Sequence, residues 1–260
     1  MVHVKAPHGF VRRSRLGTLA FSTLPRPPRD LDYQGLLIFA PVLLFSVIAH
    51  EYAHGYAALK QGDDTALVLG RLTWNPVKHI DPMMTIIVPG MLWILSGGRM
   101  LLGGAKPVPV NPRNYRNIKR GDIIVSLAGV ATNLVIAICC ALLFPLAGMI
   151  GRSVPAAATA MSIVQAMLIQ GIMLNLILIV FNLIPIPPLD GSHVMKYLLP
   201  ASIALHYQRV SRYGILVLIA LMWITPGALN FIMTPAFKAF GWTFTQIEGG
   251  MLPEARRWLR

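Results

Sequence analysis

Charged residues are so widely spaced along this chain that five stretches hold none or almost none, at 36–59, 83–96, 123–151, 153–189 and 213–237. An α-helix rises 1.5 Å per residue, so roughly 20 residues span the ~30 Å hydrocarbon core of a bilayer. Four of the stretches reach that length, and 83–96 does not. The pattern predicts an all-α integral membrane protein, a helical bundle with about four full spans at 36–59, 123–150, 160–184 and 213–233. A single intramembrane domain over 36–237 would then lie between a basic N-terminal tail, 1–35, and a C-terminal tail, 238–260. No internal repeat interrupts that organisation.

Composition agrees: 55% of residues are hydrophobic and 13% charged, against about 25% charged in soluble domains. The net charge of +13 sits in the connections between apolar runs and not in one patch with interleaved aromatics. It suits an anionic lipid surface rather than nucleic acid. Cys139 and Cys140, adjacent in an apolar segment, read as small packing residues rather than a disulfide or metal pair. Arg12, Arg13 and Arg15 precede the modest apolar run LGTLAFSTL with no A-x-A site after it, which favours a basic tail over a cleaved signal.

The acids change the picture from class to chemistry. Among ten Asp and Glu residues, Glu51 is the one inside a membrane-length run, and Asp190 directly ends another. An acid at the centre of a membrane helix costs ~2.5–3.5 kcal/mol on insertion scales, so each of these calls for a function. Glu51 belongs to His50-Glu51-Tyr52-Ala53-His54, an HExxH pattern. On a helix its two imidazoles fall on one face and can grip one metal ion, with the glutamate beside them. Zinc is the natural occupant, since two His and a carboxylate leave a fourth position for water. A chance match whose histidines hydrogen-bond across a bundle is the alternative, weakened by the need of three polar residues in lipid for a shared partner.

Asp190 closes Asn182-Leu-Ile-Pro-Ile-Pro-Pro-Leu-Asp190-Gly191. The prolines remove backbone donors and forbid a regular helix, so the chain unwinds just where this carboxylate appears. That presentation suits a third metal ligand; a solvated Asp on an interfacial loop is the other reading. His193, three residues further on, would as a fourth protein ligand close the position water needs. His79 reads as a loop or interface residue, and Met and Trp side chains as packing and interfacial anchors.

With HExxH in a membrane span and N-x-x-P-x-P-P-L-D-G more than a hundred residues later, the chain resembles the site-2 protease family of intramembrane zinc metalloproteases. GRLTWNPVKHIDP at 70–82 and AKPVPVNPRNYRN at 105–117 are similar to linking segments of its small members without a PDZ domain. The resemblance implies one zinc ion per chain held by His50, His54 and Asp190, with Glu51 as general base. It implies substrates that are transmembrane proteins, cut within or near a membrane helix that has locally unwound. The family motif G-P-x-x-N stands here as Gly129-Val130-Ala131-Thr132-Asn133, with Val130 in place of proline. Asn133 then lies near the active site as a substrate-binding candidate, and Asn182 is a second. The resemblance also implies a site opening to the cytoplasm from the cell membrane of a prokaryote; the near-equal division of Lys and Arg between the two sides leaves orientation undecided by charge. A metal transporter and a non-catalytic zinc-bound scaffold are the rival functions. The substrate's identity, its trigger and the oligomeric state are not written in these residues.

Geometry constrains the topology. Spans 36–59 and 160–184 both carry their ligands toward the C-terminal end, and zinc bonds of ~2 Å cannot bridge a membrane. The two spans must therefore run parallel with one crossing, 123–150, between them. That requires 83–96, short and broken by Pro89-Gly90, to be a re-entrant hairpin. The segment TALVLGRLTW at 65–74 is the candidate for a short β element whose edge would pair with an extended substrate.

Overall fold

The structure, a computed structural model, describes residues 33–87, 91, 104–224 and 226–259. Its regular structure is helical, with no strand among the described residues. Helix α1 spans Tyr33–Gln61 and is followed by a four-residue helix, α2, Thr65–Val68. After the connection come α3, Ile118–Ser153, and α4, Ala158–Asn182, joined by a short turn at Pro155–Ala157 that makes them antiparallel. The remainder is shorter: α5, Asp190–Leu198; α6, Ala201–Val210; α7, Gly214–Ile224; and α8, Pro226–Ile247.

Among the described residues, three helical segments are long and apolar enough to cross a membrane: Leu37–Gln61, Ile118–Ser153 and Pro155–Asn182. Their packing suits lipid rather than water. Along α3 the large apolar side chains Leu134, Val135, Ile138, Leu142, Leu143 and Leu146 face outward, while Gly129, Asn133, Ala137, Ala147 and Gly148 are buried. With lipid as apolar as leucine, helices gain little by burying bulk and associate through small and polar residues that permit close approach. The buried amide of Asn175 on α4 donates to Ser46 of α1 at 2.9 Å and to its own Gly171 carbonyl at 2.7 Å. Cys140 is half-buried, unpaired and packed against Gly171.

The three long helices have the arrangement that the ligand positions require. α3 packs on both α1 and α4, and α1 and α4 bring His50, His54 and the loop before Asp190 to the same end. The connection from α1 to α3 closes where it began, for the Arg116 amide donates to the Gln61 carbonyl at 2.9 Å. The hairpin expected at 83–96 lies for the most part outside the described residues; its beginning, Pro82–Ile87, is a π-helical stretch.

One expectation changes. The edge strand expected at 65–74 is instead helix α2 followed by a turn. The Asp63 carboxylate accepts from the Thr65 amide and hydroxyl, an Asx-turn that starts a helical turn. Gly70, at φ +63°, then ends it, in a conformation that suits glycine. The fourth span, expected at 213–233, falls across α7 and α8, with residue 225 between them outside the described residues. At 11 residues α7 covers only about 16 Å, whereas α8 with 22 residues covers about 33 Å. α8 runs through residue 238 to Ile247, and the segment after it, Glu248–Leu259, folds back onto α3 and α4.

Candidate metal centre

The centre is assembled from three helices and one loop. α1 supplies His50 and His54 from adjacent turns of one face. Their Nε2 atoms stand 3.0 Å apart, and Asp190 Oδ2, from the first residue of α5, lies 3.2 Å from His50 Nε2 and 3.4 Å from His54 Nε2. One ligand atom from each of the three lies within 4.8 Å of the others. A tetrahedral zinc site with bonds of about 2.0–2.1 Å has ligand–ligand edges of about 3.3 Å, so the spacing fits that ion.

Hydrogen bonding supports the fit. His54 Nδ1 lies 2.7 Å from the Val125 carbonyl, so it carries the proton and leaves Nε2 with a lone pair facing the cluster. That lone pair meets another imidazole nitrogen and a carboxylate, an arrangement that favours a cation between them. Asp190 Oδ2 is buried without a well-formed hydrogen bond, which is costly unless some other group satisfies it.

Helix α3 forms the wall behind the imidazoles. A Cβ at Gly129 would lie 2.5 Å from His50 Cε1 and 2.6 Å from both Nε2 atoms, so only glycine leaves room for both rings. Asn133, one turn further along the same face, is wholly buried with neither Oδ1 nor Nδ2 paired. Asn182 differs: at the end of α4 its amide donates back to the Leu178 carbonyl at 3.0 Å. Val130 continues α3 without a break where the resembling motif has proline.

Glu51 projects beside the cluster, and its Oε2 accepts from the Val108 amide at 2.8 Å. The extended segment carrying Val108 is pinned at several points. Lys106 N donates to the His79 carbonyl, Arg71 donates to the Lys106 and Pro107 carbonyls, and Asn111 N donates to Asp63. His79 is thus a buried loop residue, with Nε2 at 2.8 Å from the Thr73 carbonyl. His193 is turned away from the cluster, its Nδ1 at 3.2 Å from Asp122 Oδ1. Sequence reasoning passed over Asp122, Gly129's role as a space, and Val108. The available signal for Asp122 was its place as the last charged residue before the long apolar run of α3.

Comparison with known proteins adds the class. The family model described as peptidase family M50 matches residues 143–225, a range that includes Asp190. A Bacillus subtilis protein named "Putative zinc metalloprotease YwhC" is 36% identical over 198 residues, covering 76% of this chain and 84% of that relative. Rip2 of Mycolicibacterium smegmatis, named in the same terms, is 34% identical over 207 residues, 78% of this chain and 72% of the relative. Rip2 of Mycobacterium tuberculosis is 32% identical over 173 residues, 65% of this chain and 60% of the relative. No solved structure matches. A lipid-facing bundle with a buried HExxH helix and relatives of this kind define an intramembrane zinc metalloprotease. The chain belongs to peptidase family M50, the site-2 proteases. Members of that family act on membrane-protein substrates.

Proposed function

We propose that His50, His54 and Asp190 hold the catalytic zinc, that Glu51 carries the proton during peptide hydrolysis, and that Asn133, with Asn182 from the end of α4, contacts the substrate. What supports this reading is the convergence of His50 Nε2, His54 Nε2 and Asp190 Oδ2 beside a carboxylate that has one oxygen already anchored. Zinc in such a cradle supplies a water of pKa about 7 and polarises a carbonyl oxygen.

The chain's own groups do the rest. With Oε2 fixed by the Val108 amide, Glu51 Oε1 is free to accept a proton from the attacking water. The same carboxyl then delivers that proton to the departing amine nitrogen, so base and acid are one group used twice. Asn133 Nδ2 is suited to donate to the oxygen on which charge develops, and its Oδ1 to receive a substrate N–H. Gly129 keeps the wall flat enough for the imidazoles to stay in place.

The substrate class we infer is a transmembrane segment of another protein, unwound near the cut so that its peptide bond reaches these groups. The enzyme would sit in the cell membrane of a prokaryote with the site opening to the cytoplasm. The basic connection after α1, which closes at the site's end of the bundle, suits that side. A reporter fused after Arg120 tests the orientation.

Glu51→Gln tests the chemistry. Purified in detergent, it should keep zinc at wild-type stoichiometry and lose about 10²–10⁴-fold or more in cleavage of a helical membrane substrate. Wild-type cleavage by this variant would end the assignment. Loss of transport with peptide cleavage untouched would favour a metal permease instead.

A further inference from the structure

Asp190 holds the first position of a nine-residue helix that follows a proline-rich loop. Helix ends fray, so a group placed there needs holding from elsewhere if it is to stay within a few tenths of an ångström of two imidazoles. Residues 190, 193 and 197 share one face of α5. The two further along that face reach a single partner on α3. His193 Nδ1 lies 3.2 Å from Asp122 Oδ1, and the Tyr197 hydroxyl donates to Asp122 Oδ2 at 3.0 Å. The Lys196 ammonium, from the adjoining edge of the helix, pairs with the same oxygen.

Asp122 itself is 3% exposed and stands at the start of α3, two turns before Gly129 on the same face. One face of α3 therefore touches both halves of the metal centre, α5 through Asp122 and the imidazoles of α1 through Gly129. Buried ion pairs return little net stability, since desolvation offsets most of the attraction. An apolar residue would dock a short helix at less cost. A carboxylate with three directional partners supplies rotation and register instead.

We propose that Asp122 is a positioning residue of the metal centre. By fixing His193, Lys196 and Tyr197, it sets the rotation and axial position of α5 and so holds Asp190 against His50 and His54. The inference rests on the reading of Asp190 as a metal ligand.

The test uses the full chain in detergent, with zinc affinity from chelator competition, the visible spectrum of the cobalt(II)-substituted protein, and the thermal midpoint. Asp122→Asn should weaken zinc binding about 10–100-fold, as loss of groups that orient ligands does, and alter the cobalt spectrum. Tyr197→Phe should move both in the same direction by less. The double variant should be no weaker than Asp122→Asn alone, because the two act through one contact. Asp190→Ala, measured alongside, separates the two levels. Wild-type zinc affinity in Asp190→Ala would refute Asp190 as a ligand. Weakened binding there, with affinity and cobalt spectrum unchanged in the Asp122 and Tyr197 variants and only the thermal midpoint lowered, would overturn the positioning role. If Asp122→Asn does not fold, Tyr197→Phe decides, since it deletes one hydroxyl: unchanged affinity and spectrum refute the proposal.

Discussion

The two ends of this helical bundle bury polar side chains in opposite ways. At the end away from the metal centre, Gln165 is fully buried with both functional atoms engaged. Its amide nitrogen donates to the Phe144 and Gly250 carbonyls at 3.0 and 2.8 Å, and its oxygen accepts from Leu252 N at 2.8 Å. It ties the C-terminal segment to α3 and α4. At the other end, Asn133 is equally buried with no partner for either atom, and Asp190 Oδ2 has no well-formed hydrogen bond and meets the Nε2 atoms of His50 and His54 instead. In a bilayer no solvent relieves an orphaned polar group. A closed set of hydrogen bonds marks a structural joint, whereas an open one marks a place where something else binds.

Glycine substitutions break the comparison most sharply. A methyl at Gly129 meets both imidazoles at 2.5–2.6 Å, and a methyl at Gly148 meets the Gly250 carbonyl oxygen at 1.9 Å. Both clashes are severe, but their consequences differ. Gly129→Ala should reduce zinc affinity by at least about 100-fold, because ligand orientation is lost, and abolish cleavage. Gly148→Ala should displace the C-terminal segment and lower the thermal midpoint, leaving zinc affinity of the folded protein unchanged. Zinc titration of the two variants side by side checks this; equal loss in both would mean that the two ends are one cooperative unit.

The buried amides give the next effect. Gln165→Ala strands the Leu252 amide and takes one donor each from the Phe144 carbonyl and the Gly250 carbonyl, which keeps the Arg152 guanidinium, and should cost about 1–3 kcal/mol in stability, with turnover per folded molecule unchanged. Asn133→Ala removes a group that has no partners to strand, so stability should stay within about 1 kcal/mol. Turnover should fall by about 10²–10³ if the amide steadies developing charge. Unfolding and steady-state cleavage on the same preparations distinguish them. A destabilised Asn133→Ala with normal turnover would make Asn133 a second structural joint.

These contrasts also explain what the sequence could disclose. His50, Glu51, His54 and Asp190 were legible because polar residues in apolar runs are costly and HExxH has a fixed helical geometry. The parallel run of α1 and α4 followed from requiring His50, His54 and Asp190 to meet within metal-bond reach. The joints were not legible: Gln165 with Leu252 is a pairing 87 residues apart, and Asp122 with Tyr197 one of 75, and neither leaves a periodic trace. At 65–74 the expectation of a strand failed for a local reason, since Asp63 and Gly70 outweighed the apolar alternation.

Asp63 offers the smallest effect and extends the comparison to a titratable group outside the long helices. It is fully buried and, like Gln165, well supplied with partners: Asn111 N and Asn114 Nδ2 donate to it, as do Thr65 N and Oγ1. Burial alone would push its carboxyl pKa up, but these hydrogen bonds outweigh that and hold it below the ordinary carboxylate value. A carboxylate whose pKa is depressed on folding stabilises the protein above its unfolded pKa of about 3.9 and loses that contribution as pH falls through the folded value. Asp63→Asn should therefore lower the thermal midpoint of the metal-free protein at pH 6, and the gap to wild type should narrow as pH falls below about 4. Thermal unfolding in detergent across that range measures the gap. A gap that widens with acid would mean that Asp63 is held more weakly than its partners imply, and that this joint is open in the way the metal centre is.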